Sequence, residues 1–256
     1  MRKLICLLLL SIVLQAQPPN GVWVVGHRGF KAVAPENTIA SFEAAAAVGT
    51  DYMELDVHQT KDGELILMHD AKVDRTTDGK GAVRDLTFAE IRKLDAGKGQ
   101  QVPTLREALA WAKQKGVRID IDYKDGPVEE VARVVRETGM TKRVVIEGPR
   151  DRLKRFTELL PGVDTMPHVK SLEDIRTACE LLHTTVIRLS LEQLAKPEDV
   201  EAVHKCGARV SVTVLGKDDN KESIRRSIIE GAELIETDHP DVVANARHTA
   251  KYTPAH

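Results

Sequence analysis

Short runs rich in Val and Ile recur along this chain, and an amphipathic segment follows most of them. Strands that alternate with helices pair in parallel through right-handed crossovers, so the pattern predicts a closed (β/α)8 barrel (the TIM-barrel architecture) or an open doubly wound sheet. No glycine-rich dinucleotide motif follows any run, which favours the barrel. The predicted strands are Val22–Gly26, Tyr52–Val57, Val117–Tyr123, Arg143–Glu147, Val163–Met166, Val186–Leu189, Arg209–Val214 and Leu234–Thr237.

The length and composition fit one such barrel. The chain has 256 residues, 42% of them hydrophobic and 30% charged, and about 250 residues is a usual barrel size. No low-complexity linker interrupts residues 21–252, so we predict a single domain over 17–256. A formal net charge of −2 provides no basic face to neutralise phosphates, which argues against a nucleic-acid partner.

The first residues have the three-part pattern of a secretory signal peptide. A basic start, Met1-Arg2-Lys3, precedes an apolar run from Leu4 to Leu14 and a polar tail that contains proline. The run has about 11 residues, too few for a helix across a bilayer core of roughly 30 Å. We predict a signal peptide over 1–16, with an uncleaved membrane anchor as the alternative. The mature protein is then secreted or periplasmic, without an integral membrane segment.

Two cysteines remain after removal of the predicted signal peptide. Cys179 and Cys206 fall in the predicted helices Ser171–His183 and Pro197–Cys206. An oxidising compartment permits a disulfide between them, and the sequence leaves the pairing open. We favour the interpretation that both are small buried hydrophobic residues.

The interval between Val57 and Val117 is too long for one crossover connection. Asp62-Gly63 is typical of a two-residue hairpin turn, which would place Asp56 opposite His69 on the returning strand. A polar loop, Asp74–Gly81, and a short helix, Thr87–Leu94, complete an insertion over about 58–103 after the second barrel strand.

Residues that can act as acids, bases or ligands cluster where the predicted strands end. Side chains two residues apart in a strand share a face, so the acidic side chains of these clusters converge. A hard cation such as Mg²⁺ or Ca²⁺ would relieve the repulsion between their charges. Active sites of barrels lie at this same end. The clusters are His27-Arg28-Gly29, Glu54-Leu55-Asp56, His69-Asp70 and Asp120-Ile121-Asp122-Tyr123-Lys124.

Several nearby residues are given a supporting role, an undecided role or no role. Asp70 is expected to orient His69 or to hydrogen-bond the turn rather than to bind a metal. The loop Asp74–Gly81 could bind phosphate through backbone N–H groups or Arg75, or could simply be solvated. The remaining histidines with no assigned role are His58, His168, His183, His204 and His248.

The order and spacing of these motifs resemble the glycerophosphodiester phosphodiesterase family, to which the phospholipase D toxins are related. The resemblance is dense over about residues 24–124 and thin afterwards. Besides the strand-end clusters, it rests on Pro35-Glu36-Asn37-Thr38, Thr60-Lys61-Asp62-Gly63, Arg75-Thr76-Thr77, Pro103-Thr104-Leu105 and Thr237-Asp238-His239-Pro240.

This resemblance implies a metal-dependent barrel enzyme that hydrolyses small glycerophosphodiesters to an alcohol and glycerol 3-phosphate. It implies that His27 and His69 are the general acid and base. It further implies that Arg28 and Lys124 face the substrate phosphate. One divalent cation, Mg²⁺ or Ca²⁺, would be held by Glu54, Asp56 and Asp122.

The chain departs from the family pattern at three positions. Asp122 stands where Glu is usual, Val212 replaces a Trp that we expect to line the pocket, and Glu147 replaces a common Ser and could reach into the pocket. Two alternatives therefore stay open. One is a phospholipase D-like enzyme that acts on lysophospholipids, and the other is a catalytically silent binding protein.

Overall fold

The computed structural model describes Pro18 and the residues 21–182 and 184–249. The predicted signal peptide over 1–16 and the last residue of the predicted helix Ser171–His183 lie outside this part of the chain. The strands are β1 (Trp23–Gly26), β2 (Tyr52–Gln59), β3 (Leu65–Leu67), β4 (Arg118–Tyr123), β5 (Val144–Gly148), β6 (Asp164–Pro167), β7 (Val186–Leu189), β8 (Arg209–Val214) and β9 (Leu234–Thr237).

Eight of these strands form a nearly closed parallel barrel. Their order is β6-β5-β4-β2-β1-β9-β8-β7, and a parallel bridge from His168 to Arg188 links the region after β6 to β7. β3 lies off this path and pairs antiparallel with β2. The predicted (β/α)8 barrel with an insertion after its second strand is confirmed.

Helices surround the barrel, and their ends follow the sequence. Thr38, Thr87, Thr104 and Ser190 cap helix N-termini with reciprocal capping boxes, which satisfy amide groups that lack an intrahelical partner. The helices are α1 (Ile39–Ala47), α2 (Phe88–Ile91), α3 (Leu105–Lys115), α4 (Val128–Thr138), α5 (Arg150–Leu159), α6 (Leu172–Leu182), α7 (Leu191–Leu194), α8 (Pro197–Lys205), α9 (Lys221–Ile229) and α10 (Pro240–Ala246). None of these helices has the length and apolar character needed to cross a membrane.

The barrel interior changes from apolar to polar along the strands. Its apolar layer consists of Trp23, Val25, Tyr52, Val145, Met166, Val186 and Leu234. The polar residues that follow on the same strand faces, Glu54, Asp120, Glu147, Arg188 and Glu236, come nearer the carboxyl ends. The alternating residues point outward and pack beneath the helices. This layering stabilises the barrel at one end and places the ionisable groups at the other.

The hairpin has a three-residue loop, so the predicted two-residue turn is wrong. Thr60 N–H donates to the Glu64 carbonyl at 2.9 Å and Gly63 N–H to the Thr60 carbonyl at 3.0 Å, while Gly63 has φ +90°, the left-handed geometry that glycine tolerates. The Thr60 hydroxyl also accepts from Glu64 N–H at 3.0 Å. Asp56 consequently pairs with Met68. His69 is the residue after the one that pairs with Asp56, instead of facing Asp56 as predicted.

The two cysteines form a disulfide, which corrects the interpretation that they are separate buried residues. Cys179 of α6 and Cys206 after α8 are bonded, with their Cα atoms 5.9 Å apart. Cys206 is exposed and Cys179 is half-buried. The contact between α6 and α8 in the fold brings the pair together across 27 residues of chain.

Candidate active site

His27 follows β1 and is held by residues at the end of β9. Because β1 and β9 pair in parallel, their carboxyl ends adjoin, and His27 Nδ1 lies 2.7 Å from Asp238 Oδ1. A carboxylate only accepts hydrogen bonds, so this contact assigns the proton to Nδ1. Nε2 is then left facing the interior, 3.8 Å from Glu236 Oε1. The side chain of His27 is buried.

Glu54, Asp56 and Asp122 form a carboxylate cluster at the ends of β2 and β4. The parallel register places Asp56 beside Asp122 and Glu54 beside Asp120. One oxygen from each residue of the cluster lies within 4.8 Å of the others. Burial raises the pKa of Glu54 well above its usual range, and the charges of Asp56 and Glu236 raise it further. Burial and Glu147 likewise raise the pKa of Asp122.

The cluster suits a hard divalent cation. Its three carboxylates supply only oxygen donors, which Mg²⁺ and Ca²⁺ prefer. Burial and neighbouring carboxylates disfavour the charged forms of Glu54 and Asp122 and so raise their pKa values. A bound cation would offset both effects. These two side chains and Asp56 therefore fit such an ion, and the structure brings the three predicted ligands together.

Arg28 and Lys124 border the cluster on two sides. Arg28 has φ +54°, an uncommon backbone conformation for a residue with a side chain. In this conformation its N–H donates to Glu54 Oε2 at 2.8 Å, while its Nε lies 3.3 Å from Asp56 Oδ2. Lys124 Nζ lies 3.0 Å from Asp56 Oδ1 and also contacts Asp122. Both cations are thus positioned beside the candidate ion site.

His69 lies at the end of the hairpin and is half-exposed, with 39% of its side chain accessible. Its Nδ1 lies 2.7 Å from Asp70 Oδ1, in agreement with the prediction that Asp70 orients this ring. Arg75 Nε donates to Asp70 Oδ2 at 2.8 Å, and its NH2 donates to Glu36 Oε1 at 2.7 Å. Hydrogen bonds to Arg75 and His69 hold the pKa of Asp70 below its usual range.

Glu36 connects the region around His69 with the region around the carboxylate cluster. It accepts from Arg75 and, at 2.9 Å, from NH1 of Arg28. Burial opposes its ionisation, but these two guanidinium groups lower the pKa of Glu36 to about 2. A continuous chain of contacts therefore runs from Asp70 beside His69 to Arg28 beside the carboxylate cluster.

Asn37 is a site residue to which the sequence reasoning gave no role. It has φ +55°, its Nδ2 donates to Asp56 Oδ2 at 2.8 Å, and its Oδ1 accepts from Asp56 N–H at 3.3 Å. The first contact holds the Asp56 carboxylate and the second holds the Asp56 backbone. Its place in the Pro35-Glu36-Asn37-Thr38 motif was the available signal, because Asn is one of the few residues that tolerate positive φ.

Arg188 is the second residue that the sequence reasoning missed. Its guanidinium lies among Asp120, Glu147 and Glu236, which are buried in the barrel. Burial lowers the pKa of Arg188, but these three charges outweigh burial and raise it above the usual value. A single basic residue within the apolar run Val186–Leu189 was the available signal.

The expectation that position 212 lines the pocket is wrong, and the open possibility that Glu147 reaches into the pocket is not met. Val212 is fully buried and packs with the apolar residues beneath the helices, whereas the next residue, Thr213, contacts Arg188 and Glu236 inside the barrel. Alternation along β8 therefore turns position 212 away from any pocket. Glu147 is 3% exposed. It forms an ion pair with Arg188 and a hydrogen bond with His168, so it belongs to the interior cluster rather than to the pocket surface.

The barrel and the ionisable groups at its carboxyl end define an enzyme of the (β/α)8 class. Residues 27–242 match the model of the glycerophosphoryl diester phosphodiesterase family. The chain belongs to this family.

Individual relatives agree with this assignment. A glycerophosphodiester phosphodiesterase of Caldanaerobacter subterraneus is 34% identical over 243 residues, which cover 87% of this chain and 96% of the relative. The crystal structure of a glycerophosphodiester phosphodiesterase from Agrobacterium tumefaciens superimposes with a TM-score of 0.80 at 30% identity, covering 88% of this chain and 99% of that chain.

A more distant structure has the same fold. It is an Oleispira antarctica phosphodiesterase in complex with its product sn-glycerol-3-phosphate, and it matches with a TM-score of 0.77 at 24% identity, covering 88% of this chain and 96% of that chain.

Proposed function

We propose that this protein hydrolyses glycerophosphodiesters to an alcohol and glycerol 3-phosphate with one divalent cation, Mg²⁺ or Ca²⁺. Family membership supports the reaction class. The observation that carries the proposal is the carboxylate cluster of Glu54, Asp56 and Asp122, whose oxygens approach within 4.8 Å beside Arg28 and Lys124.

The charges of the site suit a phosphodiester. The substrate carries one negative charge, which grows in the transition state, and preorganised positive groups stabilise that charge. Arg28 and Lys124 would bind the phosphate oxygens. When bound, the divalent cation would withdraw further negative charge from the phosphoryl group. The six acidic side chains that the barrel strands themselves carry towards this end are only partly balanced by Arg28, Lys124 and Arg188, which is consistent with a bound cation. These six are Glu54, Asp56, Asp120, Asp122, Glu147 and Glu236.

The two histidines would transfer the protons. In the proposed route a hydroxyl oxygen of the glycerol moiety bonds to phosphorus, and the bond from phosphorus to the departing alcohol oxygen breaks. One imidazole takes the hydroxyl proton and the other protonates the departing alkoxide. Water then opens the cyclic phosphate, with the imidazoles in reversed roles, to give glycerol 3-phosphate. The bonds of His27 to Asp238 and of His69 to Asp70 would hold both rings in place.

We also propose that the protein acts outside the cytoplasm, as a secreted or periplasmic enzyme. The leader pattern over 1–16 supports this location. The disulfide between Cys179 and Cys206 is of a kind that persists in oxidising compartments.

The function is tested with protein from Gln17 onward and three substrates: glycerophosphocholine, glycerophosphoethanolamine and lysophosphatidylcholine. Released alcohol and glycerol 3-phosphate are measured with Mg²⁺, Ca²⁺ or a chelator. His69→Ala is compared with His248→Ala, because His248 is exposed on the chain after α10. Each histidine is expected to contribute about 10²–10⁴-fold, so His69→Ala should lose turnover and His248→Ala should retain it.

Other outcomes would redirect the proposal. Turnover of the lysolipid alone would indicate a phospholipase D-like enzyme. A folded protein that binds cation but hydrolyses none of the substrates would favour the silent binding protein. Equal activity with and without chelator would contradict the proposed metal dependence.

A further inference from the structure

A cavity of about 440 Å³ lies between the loop after β1, the insertion and the segment that joins β9 to α10. Its wall includes Asp238, which bonds to His27, and Arg75, which bonds to the Asp70 that orients His69. The cavity therefore adjoins the partners of both candidate proton-transfer groups. Its volume is in the range of small-molecule sites.

The charged groups of this cavity neutralise one another. Lys31 Nζ lies 3.0 Å from Asp238 Oδ1, and Arg75 NH2 lies 2.7 Å from Glu36 Oε1. Two cations thus face two carboxylates, with no net charge among the four. A cationic head group would have to compete with Lys31 and Arg75 for the two carboxylates. An anionic head group would have to compete with the two carboxylates for Lys31 and Arg75.

The uncharged residues of the wall have small side chains that leave room for a polar ligand. It includes Ala32, Ala34, Pro35, Thr76 and Ala96. Among the described residues that line the cavity there is no Phe, Tyr or Trp, and its one ring is the imidazole of His239. The wall therefore lacks the Phe, Tyr or Trp faces that bind quaternary ammonium groups. The short side chains also give little apolar surface for an acyl chain.

We propose that this cavity receives the departing alcohol of the substrate and that it selects a neutral polyol head group, such as glycerol or inositol. The inference rests on the proposed phosphodiesterase function. An ammonium group has three donors and a carboxylate about four acceptor sites, so Lys31, Glu36 and Asp238 can hydrogen-bond hydroxyls without breaking their ion pairs. A polyol thus gains hydrogen bonds where a charged head group must displace a charge.

The first test compares kcat/KM for glycerophosphoinositol and glycerophosphoglycerol with that for glycerophosphocholine. The methyl ester of glycerol 3-phosphate is included because its departing group is too small to fill the cavity. We expect the two polyol esters to be preferred over the choline ester by about tenfold or more, the size of discrimination that a few pocket contacts supply.

The second test fills the cavity. Ala32 lines it, whereas the neighbouring Val33 does not. Ala32→Trp should lower kcat/KM for glycerophosphoinositol about tenfold and leave the methyl ester within twofold. Val33→Trp introduces the same large side chain at the next position of the loop and should change neither.

Each outcome bears on a separate claim. Preference for glycerophosphocholine, or an Ala32→Trp variant that keeps its activity on the inositol ester, would overturn the head-group assignment while leaving the phosphodiesterase function intact. Absence of turnover for every diester, the methyl ester included, would overturn the proposed function and the assignment of the cavity with it.

Discussion

Arg188 NH2 lies 2.8 Å from Glu147 Oε2 in the interior of the barrel. The same guanidinium is 3.3 Å from Asp120 and contacts Glu236. Oxygens of these three carboxylates lie within 4.8 Å of one another, a spacing that could otherwise hold a second cation. Arg188 is therefore the internal counter-charge of this cluster, separate from the cluster of Glu54, Asp56 and Asp122.

Replacing Arg188 is expected to destabilise the fold strongly. Arg188→Met leaves buried carboxylates without their partner, and removal of one member of a buried ionic group costs about 3–5 kcal/mol. Urea unfolding monitored by circular dichroism measures this loss. The double variant Arg188→Met/Glu147→Gln removes a charge of each sign and should recover part of the stability. A single variant that loses under 1 kcal/mol would show that Arg188 is dispensable.

The metal-free protein should become less stable as pH rises from about 4. The folded-state pKa values of Glu54 and Asp122 are raised by burial and by neighbouring carboxylates, so the folded protein keeps protons that the unfolded chain releases above its ordinary values near 4. Stability then decreases with pH until the folded-state groups also ionise. Divalent cation should reverse the trend and add about 2.7 kcal/mol at a concentration 100 times Kd.

Thermal unfolding between pH 4 and 8, with Mg²⁺, Ca²⁺ or a chelator, measures this dependence. The variant Glu54→Gln lacks one of the buried carboxyl groups whose pKa is raised and should show a weaker slope with chelator. An unfolding temperature that rises steadily over this pH range with chelator present would be the opposite sign and would contradict the assignment.

Asn37 is expected to control cation affinity through Asp56. Asn37→Gly tolerates the positive φ but loses both hydrogen bonds to Asp56, and loss of such a supporting contact typically weakens metal binding about 10–100-fold. Asn37→Ala should lose the same affinity and also stability, because alanine is strained at φ +55°. Calorimetric titration with the cation separates the two effects. Unchanged affinity in Asn37→Gly would remove Asn37 from the site.

Glu36 should make the protein sensitive to acid. Its folded-state pKa of about 2 is below its ordinary value, so its contribution is fully present above pH 4.5 and is lost as pH falls towards 2. The loss reaches up to about 3 kcal/mol, less what solvent screens at the half-exposed Arg75. Denaturant unfolding of the wild type and Glu36→Gln from pH 5 to 2 should show their difference shrinking. A difference that is constant over this range would refute the linkage.

The strands were predictable because their signal is local, whereas much of the site was not. In seven of the eight barrel strands, both ends lie within one residue of the predicted ends. The exception is β2, which extends beyond the predicted Val57 to Gln59, in the hairpin. Parallel pairing then brings Glu54, Asp56 and Asp122 together without further information. The hairpin register was missed because the Thr60 side chain supports a longer loop.

Arg188 was missed for a different reason. Its partners Asp120, Glu147 and Glu236 lie on three other strands, and only closure of the barrel places them around one side chain. The disulfide likewise depends on how α6 packs against α8 rather than on any local pattern. Contacts of this kind are set by tertiary structure and leave little trace in a single sequence.

The disulfide should stabilise the protein without affecting turnover. Closing a segment with a sequence separation of 27 restricts the unfolded chain by about 3.5 kcal/mol on the chain-entropy account, which corresponds to roughly 10 °C in unfolding temperature. Cys179→Ser/Cys206→Ser should unfold at a temperature lower by this amount. We expect kcat/KM to stay unchanged, because Cys179 in α6 and Cys206 directly after α8 lie in the outer layer of the barrel. The single variant Cys179→Ser should lose as much, since either change abolishes the bond. Thiol titration of the unfolded protein from Gln17 onward, which lacks Cys6, provides the direct check, and two free thiols there would exclude the disulfide.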